Sequence, residues 1–146
     1  MHVIVGSVVI RDNKILLVQE AQEKCYKQWN FPAGHLEDNE TIVAGAIRET
    51  KEETGYDVKP ESLAMIASPE ADPMIFFLFN MKIIGGEIAY DKSEILDVKW
   101  TPLNEVEQVD FRGNLKTFVD EVLRRYKADE SYSLDVIEDF AKEKNA

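Results

Sequence analysis

The chain has 146 residues, a length that suits one domain with a substantial hydrophobic core. Its composition is 45% hydrophobic and 31% charged, and its net charge of -11 disfavours nonspecific binding to a nucleic acid polymer, because that binding needs a basic surface. The sequence shows no apolar run long enough to span a bilayer, no signal-peptide pattern and one cysteine, Cys25, so we expect a cytoplasmic protein that does not bind membranes.

The first third of the chain predicts two strands and an irregular connection. Residues 2–10 are rich in β-branched side chains and predict a strand, and residues 15–18 predict a second one after a turn-like segment. Residues 21–28 are polar and predict a loop. Residues 29–31 are expected to be extended, because Pro32 restricts the residue before it.

A helix follows, and its two ends carry recognisable caps. Asn39 or Thr41 is a suitable N-cap, and Gly55 is a suitable C-cap. Apolar and small side chains recur between them at helical spacing and predict the buried face. This face consists of Val43, Ala46, Ile47, Thr50 and Thr54.

The second half of the chain predicts three strands and two helices. The strands are expected over residues 63–68, 74–84 and 95–100. Residues 114–126 carry apolar side chains at helical spacing and predict a second α-helix. Residues 133–141 form a weaker amphipathic pattern that predicts a third helix. Strands on both sides of a central helix, with a late helix, indicate an α/β fold.

Three glutamates give the first helix a distinctive face. Glu49, Glu52 and Glu53 stand at i, i+3 and i+4, so they share one side of the helix and repel each other unless a cation lies between them. A divalent metal such as Mg²⁺ is the natural candidate, since hard cations take oxygen ligands. Gly45 lies one turn before Glu49, where it either leaves room for a ligand or serves as a packing glycine.

The spacing of these residues resembles the signature of the Nudix (MutT-like) hydrolases, G-x5-E-x7-R-E-U-x-E-E-x-G-U, in which U is usually a bulky aliphatic residue. The signature covers residues 34–56, and every fixed letter matches. The fixed positions are filled by Gly34, Glu40, Arg48, Glu49, Glu52, Glu53 and Gly55. The two U positions depart from the pattern, because they hold Thr50 and Tyr56. The resemblance implies a single Nudix domain over residues 1–146, folded as an α/β/α sandwich with a mixed β-sheet, in which the signature forms a loop-helix-loop.

The resemblance also implies an activity. Nudix enzymes hydrolyse a nucleoside diphosphate linked to another moiety, through attack of water on a phosphorus atom of the pyrophosphate. The implied cofactor is Mg²⁺ or, as a substitute, Mn²⁺. The implied partner is a small phosphorylated substrate, with the protein acting as a monomer or homodimer. Because a nucleotide pyrophosphatase needs its glutamates, and Nudix-like nucleotide-binding or sensor domains often lose one or more of them, their presence here favours an enzyme over a catalytically silent binding domain.

Roles for individual residues follow from the same resemblance. Glu49, Glu52 and Glu53 are implied metal ligands together with the backbone carbonyl of Ala33, and either Glu49 or Glu52 is the general base. Arg48 is implied to orient the catalytic glutamates through ion pairs, while Glu40, Gly34 and Gly55 are structural. Glu94 lies six residues before Trp100, where it is either an additional metal ligand or an exposed loop residue.

Substrate recognition is predicted outside the signature. Trp29 is placed to recognise a base. Phe31 either stacks on a base or belongs to the core, since aromatic side chains in strands are usually buried. His35 either contacts phosphate or is a surface histidine. The segments PAGHLE and SLDVIEDF are similar to a bacterial Nudix subgroup of nucleoside tri- and diphosphate phosphatases that also act on hydroxymethylpyrimidine pyrophosphate.

Overall fold

The computed structural model describes residues 1–139, which form two β-sheets and the helices that flank them. The strands in chain order are β1 (His2–Val8), β2 (Ile10–Arg11), β3 (Lys14–Glu20), β4 (Trp29–Asn30), β5 (Ala33–His35), β6 (Tyr56–Ala67), β7 (Met74–Gly86) and β8 (Ile95–Pro102). The α-helices are α1 (Ile42–Thr54) and α2 (Leu115–Lys127). Short 3₁₀ turns lie at Glu23–Cys25, Leu103–Gln108 and Leu134–Val136.

The first sheet is mixed, and the second is antiparallel. In the first sheet the strand order is β5-β1-β7-β6, with β1 parallel to β7 and the other neighbours antiparallel. In the second sheet β3 pairs with β2, β4 and β8. The start of β5 lies against α1, since the backbone N–H of Ala33 donates to Glu53 of that helix.

Alternation along β1 and β3 divides the core into two layers. Successive side chains of a strand point to opposite faces. Ile4 and Ile15 belong to the cluster that contains the buried side of α2, while Val5 and Leu16 belong to the cluster that contains Ala46 of α1. The sheets therefore lie between the two helices, which confirms the predicted α/β/α sandwich.

Helix α1 has the predicted ends, and their geometry is explicit. Thr41 is the N-cap, and its hydroxyl oxygen accepts a hydrogen bond from the backbone N–H of Ala44 at 3.1 Å. Gly55 ends the helix with a φ of 85°, a left-handed conformation that glycine adopts without steric cost.

In the described part of the chain, neither this helix nor any other is long and apolar enough to cross a membrane.

Two predicted elements differ from the structure. Strand β6 begins at Tyr56 and is much longer than residues 63–68, because the ladder with β7 tolerates Pro60 at a register shift. The predicted helix over residues 133–141 is wrong for its described part, which holds only the 3₁₀ turn Leu134–Val136; residues 140 and 141 lie outside the described chain. Antiparallel pairing of Tyr132 with Leu63 directs this segment along the sheet instead.

Candidate active site

Arg48 lies at the centre of the hydrogen-bond network on the acidic face of α1. Its guanidinium donates to both carboxylate oxygens of Glu40, at 3.0 and 2.7 Å. The same group donates to Glu49 at 2.9 Å, to Glu52 at 3.2 Å and to the backbone carbonyl of His35 at 3.1 Å. One cation therefore holds three carboxylates in fixed positions, which is the arrangement expected of a residue that orients catalytic glutamates.

Glu40 connects the loop before α1 to this network. Its carboxylate accepts a hydrogen bond from the backbone N–H of Glu37 at 2.8 Å in addition to those from Arg48. The hydrogen bond from Arg48 is the main reason that the pKa of Glu40 is lowered. The side chain of Glu40 is only 15% exposed and is fully engaged by these partners. These contacts join the loop to α1, and the structural role of Glu40 stays a prediction.

Glu53 and Glu49 are partly buried carboxylates on the acidic face of α1. The carboxylate of Glu53 accepts a hydrogen bond from the backbone N–H of Ala33 at 2.8 Å, which ties α1 to the start of β5. Burial raises the pKa of Glu53 well above its ordinary value, and the nearby charges of Glu20, Glu49 and Glu94 raise it further. Burial also raises the pKa of Glu49, although Arg48 opposes this shift. Arg48 therefore partly compensates the charge of Glu49, whereas the charges recorded around Glu53 are those of other carboxylates.

The donor set has the chemistry that a divalent cation requires. Glu49, Glu52 and Glu53 offer only oxygen atoms, and a cation beside them would offset both the burial of the charges and their mutual repulsion. Within residues 1–139, no three His, Cys, Asp or Glu side chains already lie close enough to complete a metal shell. Arg48 instead occupies oxygen atoms of Glu49 and Glu52. The metal ligands, including the Ala33 carbonyl, stay a prediction.

Gly34 is necessary because the carboxylate of Glu49 lies directly against it. A Cβ atom added at Gly34 would overlap with the carboxylate carbon and both oxygens of Glu49. We therefore expect Gly34→Ala to displace Glu49 and to lower kcat/KM by about 10- to 100-fold, since small displacements of catalytic groups have effects of that order. Steady-state hydrolysis measures this effect.

Gly85→Ala is the matched control for that change. A Cβ at Gly85 would meet its nearest neighbour, an oxygen of Asp57, at an ordinary 3.5 Å. It should leave hydrolysis near the wild-type level. Equal activity of both alanine variants and the wild type would show that Glu49 need not occupy the position seen here.

The remaining predicted site residues differ in their exposure to solvent. Glu94 is exposed, just before β8, and the backbone N–H of Ala21 donates to its carbonyl at 3.1 Å, which keeps it beside the end of β3 and within electrostatic range of Glu53. Trp29 is half-buried in β4. His35 is exposed, with its ring 5.3 Å from that of His2. The prediction that Phe31 stacks on a base is wrong for this structure, because Phe31 is fully buried in the core.

Three further polar residues border the site without being predicted. Glu20 ends β3 and is 3% exposed, Asn30 donates to it at 3.2 Å, and the guanidinium of Arg112 lies 3.7 Å from it. Glu20 could have been identified from the sequence, because it is an acidic residue at the end of an apolar strand. Arg112 lies in a short irregular segment, and no sequence pattern there indicates that it borders the site.

The two unusual signature positions have local partners. The hydroxyl of Thr50 is fully buried and lies 2.6 Å from the hydroxyl of Ser7 on β1, so a polar pair replaces the usual aliphatic contact. The hydroxyl of Tyr56 accepts a hydrogen bond from the indole of Trp100 at 3.3 Å.

Gly45 is buried, and an added Cβ would meet atoms of Glu40, Leu36 and Val5 at 2.9–3.0 Å, so it is a packing glycine.

Comparison with known proteins agrees with the fold and the acidic helix. The NUDIX domain model matches residues 1–126. The chain is 35% identical to the phosphatase NudJ of Escherichia coli K12 over 145 residues, which cover 95% of this chain and 92% of that protein. A NUDIX hydrolase from Nitrosomonas europaea superposes with a TM-score of 0.85 and 28% identity, covering 97% of this chain and 99% of that one.

A structure with lower sequence identity is similar to this chain in fold only. It is a bifunctional NMN adenylyltransferase/ADP ribose pyrophosphatase from Francisella tularensis, complexed with AMP and a Mn ion. It superposes with a TM-score of 0.68 and 23% identity over 85% of this chain and 41% of that one.

A mixed sheet between helices, with a glutamate-bearing helix braced by one arginine, defines the class of protein. The chain belongs to the Nudix family. It is a hydrolase that acts on phosphoric anhydrides.

Proposed function

We propose that the protein is a Mg²⁺-dependent pyrophosphohydrolase that cleaves the pyrophosphate linkage of a nucleoside di- or triphosphate, or of a nucleoside diphosphate linked to another moiety. The observation that carries this proposal is the set of glutamates on α1. Glu49, Glu52 and Glu53 are all present, and Arg48 donates to two of them while the third accepts a hydrogen bond from the backbone of Ala33. The relative named phosphatase NudJ supports a substrate that contains phosphate.

The residues of this chain suit the steps that such a reaction needs. When bound, a divalent cation neutralises charge on the phosphate oxygens and lowers the pKa of the attacking water. Glu49, Glu52 and Glu53 are the proposed ligands, joined by the Ala33 carbonyl and by Glu94. Glu49 or Glu52 takes the proton from the water as general base. Arg48 keeps both candidates in place and is a positioning residue.

The substrate is the part of the proposal that depends on residues outside α1. Trp29, on β4, and the exposed His35, on β5, are the proposed contacts to the base and phosphates. The similarity of PAGHLE and SLDVIEDF to the bacterial subgroup adds hydroxymethylpyrimidine pyrophosphate to the candidate substrates.

We further propose that the protein is cytoplasmic.

A substrate panel tests the proposal. The purified protein is incubated with Mg²⁺ and nucleoside tri- and diphosphates, ADP-ribose, dinucleoside polyphosphates or hydroxymethylpyrimidine pyrophosphate, and the products are separated by chromatography. We expect hydrolysis of at least one compound, complete loss of it with excess EDTA, and recovery with Mg²⁺ or Mn²⁺, because the buried glutamates repel a polyphosphate without a cation.

The competing function is a nucleotide-binding or sensor domain that does not catalyse hydrolysis. It predicts nucleotide binding by calorimetry with no turnover of any panel member. Activity that persists in EDTA would instead contradict the dependence on metal.

A further inference from the structure

Arg112 places a positive charge at the edge of the acidic site. Its guanidinium Nη1 lies 3.7 Å from Oε1 of Glu20, the buried last residue of β3. Glu20 is close enough to Glu53 for its charge to add to the raised pKa of that carboxyl. The backbone of Ala21, the next residue, donates to Glu94. Arg112 therefore borders the group of carboxylates formed by Glu20, Glu53 and Glu94.

The backbone around Arg112 is firmly held. Its N–H donates to the carbonyl of Trp29 at 2.9 Å, and the N–H of Trp29 donates to the carbonyl of Asp110 at 2.9 Å. Phe111, between them, is 6% exposed and belongs to the core. These contacts fix the direction from which the arginine reaches the site and place it next to Trp29, the proposed contact for the base.

The guanidinium of Arg112 retains its hydrogen-bonding capacity. Its closest recorded partner among the described residues is Glu20 at 3.7 Å, which is too long for a hydrogen bond, and the side chain is 35% exposed. Arg48, by contrast, already donates to Glu40, Glu49 and Glu52. A guanidinium has five N–H donors in a planar fork that fits two phosphate oxygens.

The polar group around Glu20 is also incomplete. Asn30 is 6% exposed and donates its amide N–H to Glu20, but its Oδ1 atom is buried and has no hydrogen-bond partner within the described chain. Buried polar atoms normally have a partner, so such an atom indicates a water or ligand that completes the site. The unpartnered atom belongs to the residue that donates to Glu20, the nearest recorded partner of the Arg112 guanidinium, and this observation is independent of the charge argument.

We propose that Arg112 binds phosphate oxygens of the substrate, and that its guanidinium lies beside the carboxylate of Glu20, to which Asn30 donates, in the absence of substrate. The proposal rests on the proposed function, because it assigns a further substrate-binding residue to the same site. It also explains how a chain of net charge -11 attracts a polyanion. The guanidinium of Arg48 on α1 is neutralised by glutamates, whereas the nearest recorded partner of the Arg112 guanidinium among the described residues is Glu20, at 3.7 Å.

The test separates binding from catalysis. Methylenediphosphonate, a pyrophosphate analogue that cannot be hydrolysed, is titrated into the protein with Mg²⁺ by calorimetry, and KM and kcat are measured with the best substrate of the panel. Arg112→Gln should weaken analogue binding and raise KM by roughly 10- to 100-fold, as expected for lost charge-assisted hydrogen bonds, with a smaller effect on kcat. Arg112→Lys should recover part of the loss. Arg124→Gln, an exposed arginine on α2, is the matched control and should bind like the wild type.

A double variant distinguishes phosphate binding from simple neutralisation of Glu20. If Arg112 serves only to balance Glu20, then Glu20→Gln combined with Arg112→Gln leaves no buried charge and should restore binding. If Arg112 binds phosphate, the double variant stays as weak as Arg112→Gln while its melting temperature recovers. Restored binding in the double variant, or wild-type binding in Arg112→Gln, overturns the proposal while leaving the hydrolase intact. A wild-type protein that neither binds the analogue nor hydrolyses any substrate overturns the proposed function as well.

Discussion

Replacing Glu53 with Gln should lower kcat/KM by about 10²- to 10³-fold while making the metal-free protein more stable. The carboxylate of Glu53 accepts a hydrogen bond from Ala33, and its partial burial raises its pKa. A glutamine oxygen still accepts that bond but carries no charge, so the change removes a proposed metal ligand together with the cost of a buried charge. We expect the free energy of unfolding at pH 8 in EDTA to rise by about 2 kcal/mol. Denaturant unfolding and steady-state hydrolysis measure the two effects.

The pH dependence of this stability difference identifies its cause. The pKa of Glu53 is higher in the folded protein than its ordinary value of 4.5, so between the two values the folded chain binds more protons than the unfolded chain. The contribution of Glu53 to stability is therefore fully present below pH 4.5 and is lost as the pH rises through the folded pKa. The stability difference between the variant and the wild type should be small at low pH and should grow as the pH rises.

Glu61→Gln is the matched control, since Glu61 is an exposed glutamate of β6. It should match the wild type in activity and in the pH dependence of unfolding. A Glu53→Gln variant that retains full activity would contradict the assignment of Glu53 as a ligand. A stability difference that does not change with pH would show that the buried charge is not its source.

The sequence predicts α1 well because the signals for this helix are local. The caps Thr41 and Gly55 interact with backbone groups within four residues of themselves. Glu49 and Glu53 share a face through helical geometry alone, whatever the rest of the chain does. The acidic face and the buried face could therefore both be predicted before any tertiary contact was known.

Features that depend on distant parts of the chain could not be predicted in this way. Thr50 departs from the aliphatic pattern because Ser7, on another strand, offers a hydroxyl partner. Arg112 reaches the site only because its segment pairs with β4. The segment after Tyr132 has the periodicity of a helix, yet pairing with Leu63 gives it a different course, since tertiary contacts outweigh weak helix propensity.

Replacing Arg48 with Gln should damage both the stability and the activity of the protein. The change leaves Glu40 and Glu49, whose side chains are 15% and 14% exposed, without the cation that holds them. Removing the cation of these ion pairs leaves the carboxylate charges uncompensated, so we expect the free energy of unfolding to fall by about 2 kcal/mol. This loss is smaller than for a fully buried ion pair, because the site is open to solvent. We expect kcat/KM to fall by about 10²-fold, since Glu49 and Glu52 lose their orientation. Thermal unfolding and steady-state kinetics provide the measurements.

Three companion variants separate the charge of Arg48 from its geometry. Arg48→Lys keeps the charge but lacks the planar fork that donates to both oxygens of Glu40, so it should recover more stability than activity. Removing the charge of Glu40 as well, in Glu40→Gln with Arg48→Gln, should restore part of the stability but none of the activity, because Glu49 and Glu52 still lack their partner. Arg124→Gln, which removes an exposed arginine that pairs with Glu121, should change neither property measurably. An Arg48→Gln variant with normal kinetics would mean that the glutamates are held by their own helix, and that the ion pairs of Arg48 serve folding alone.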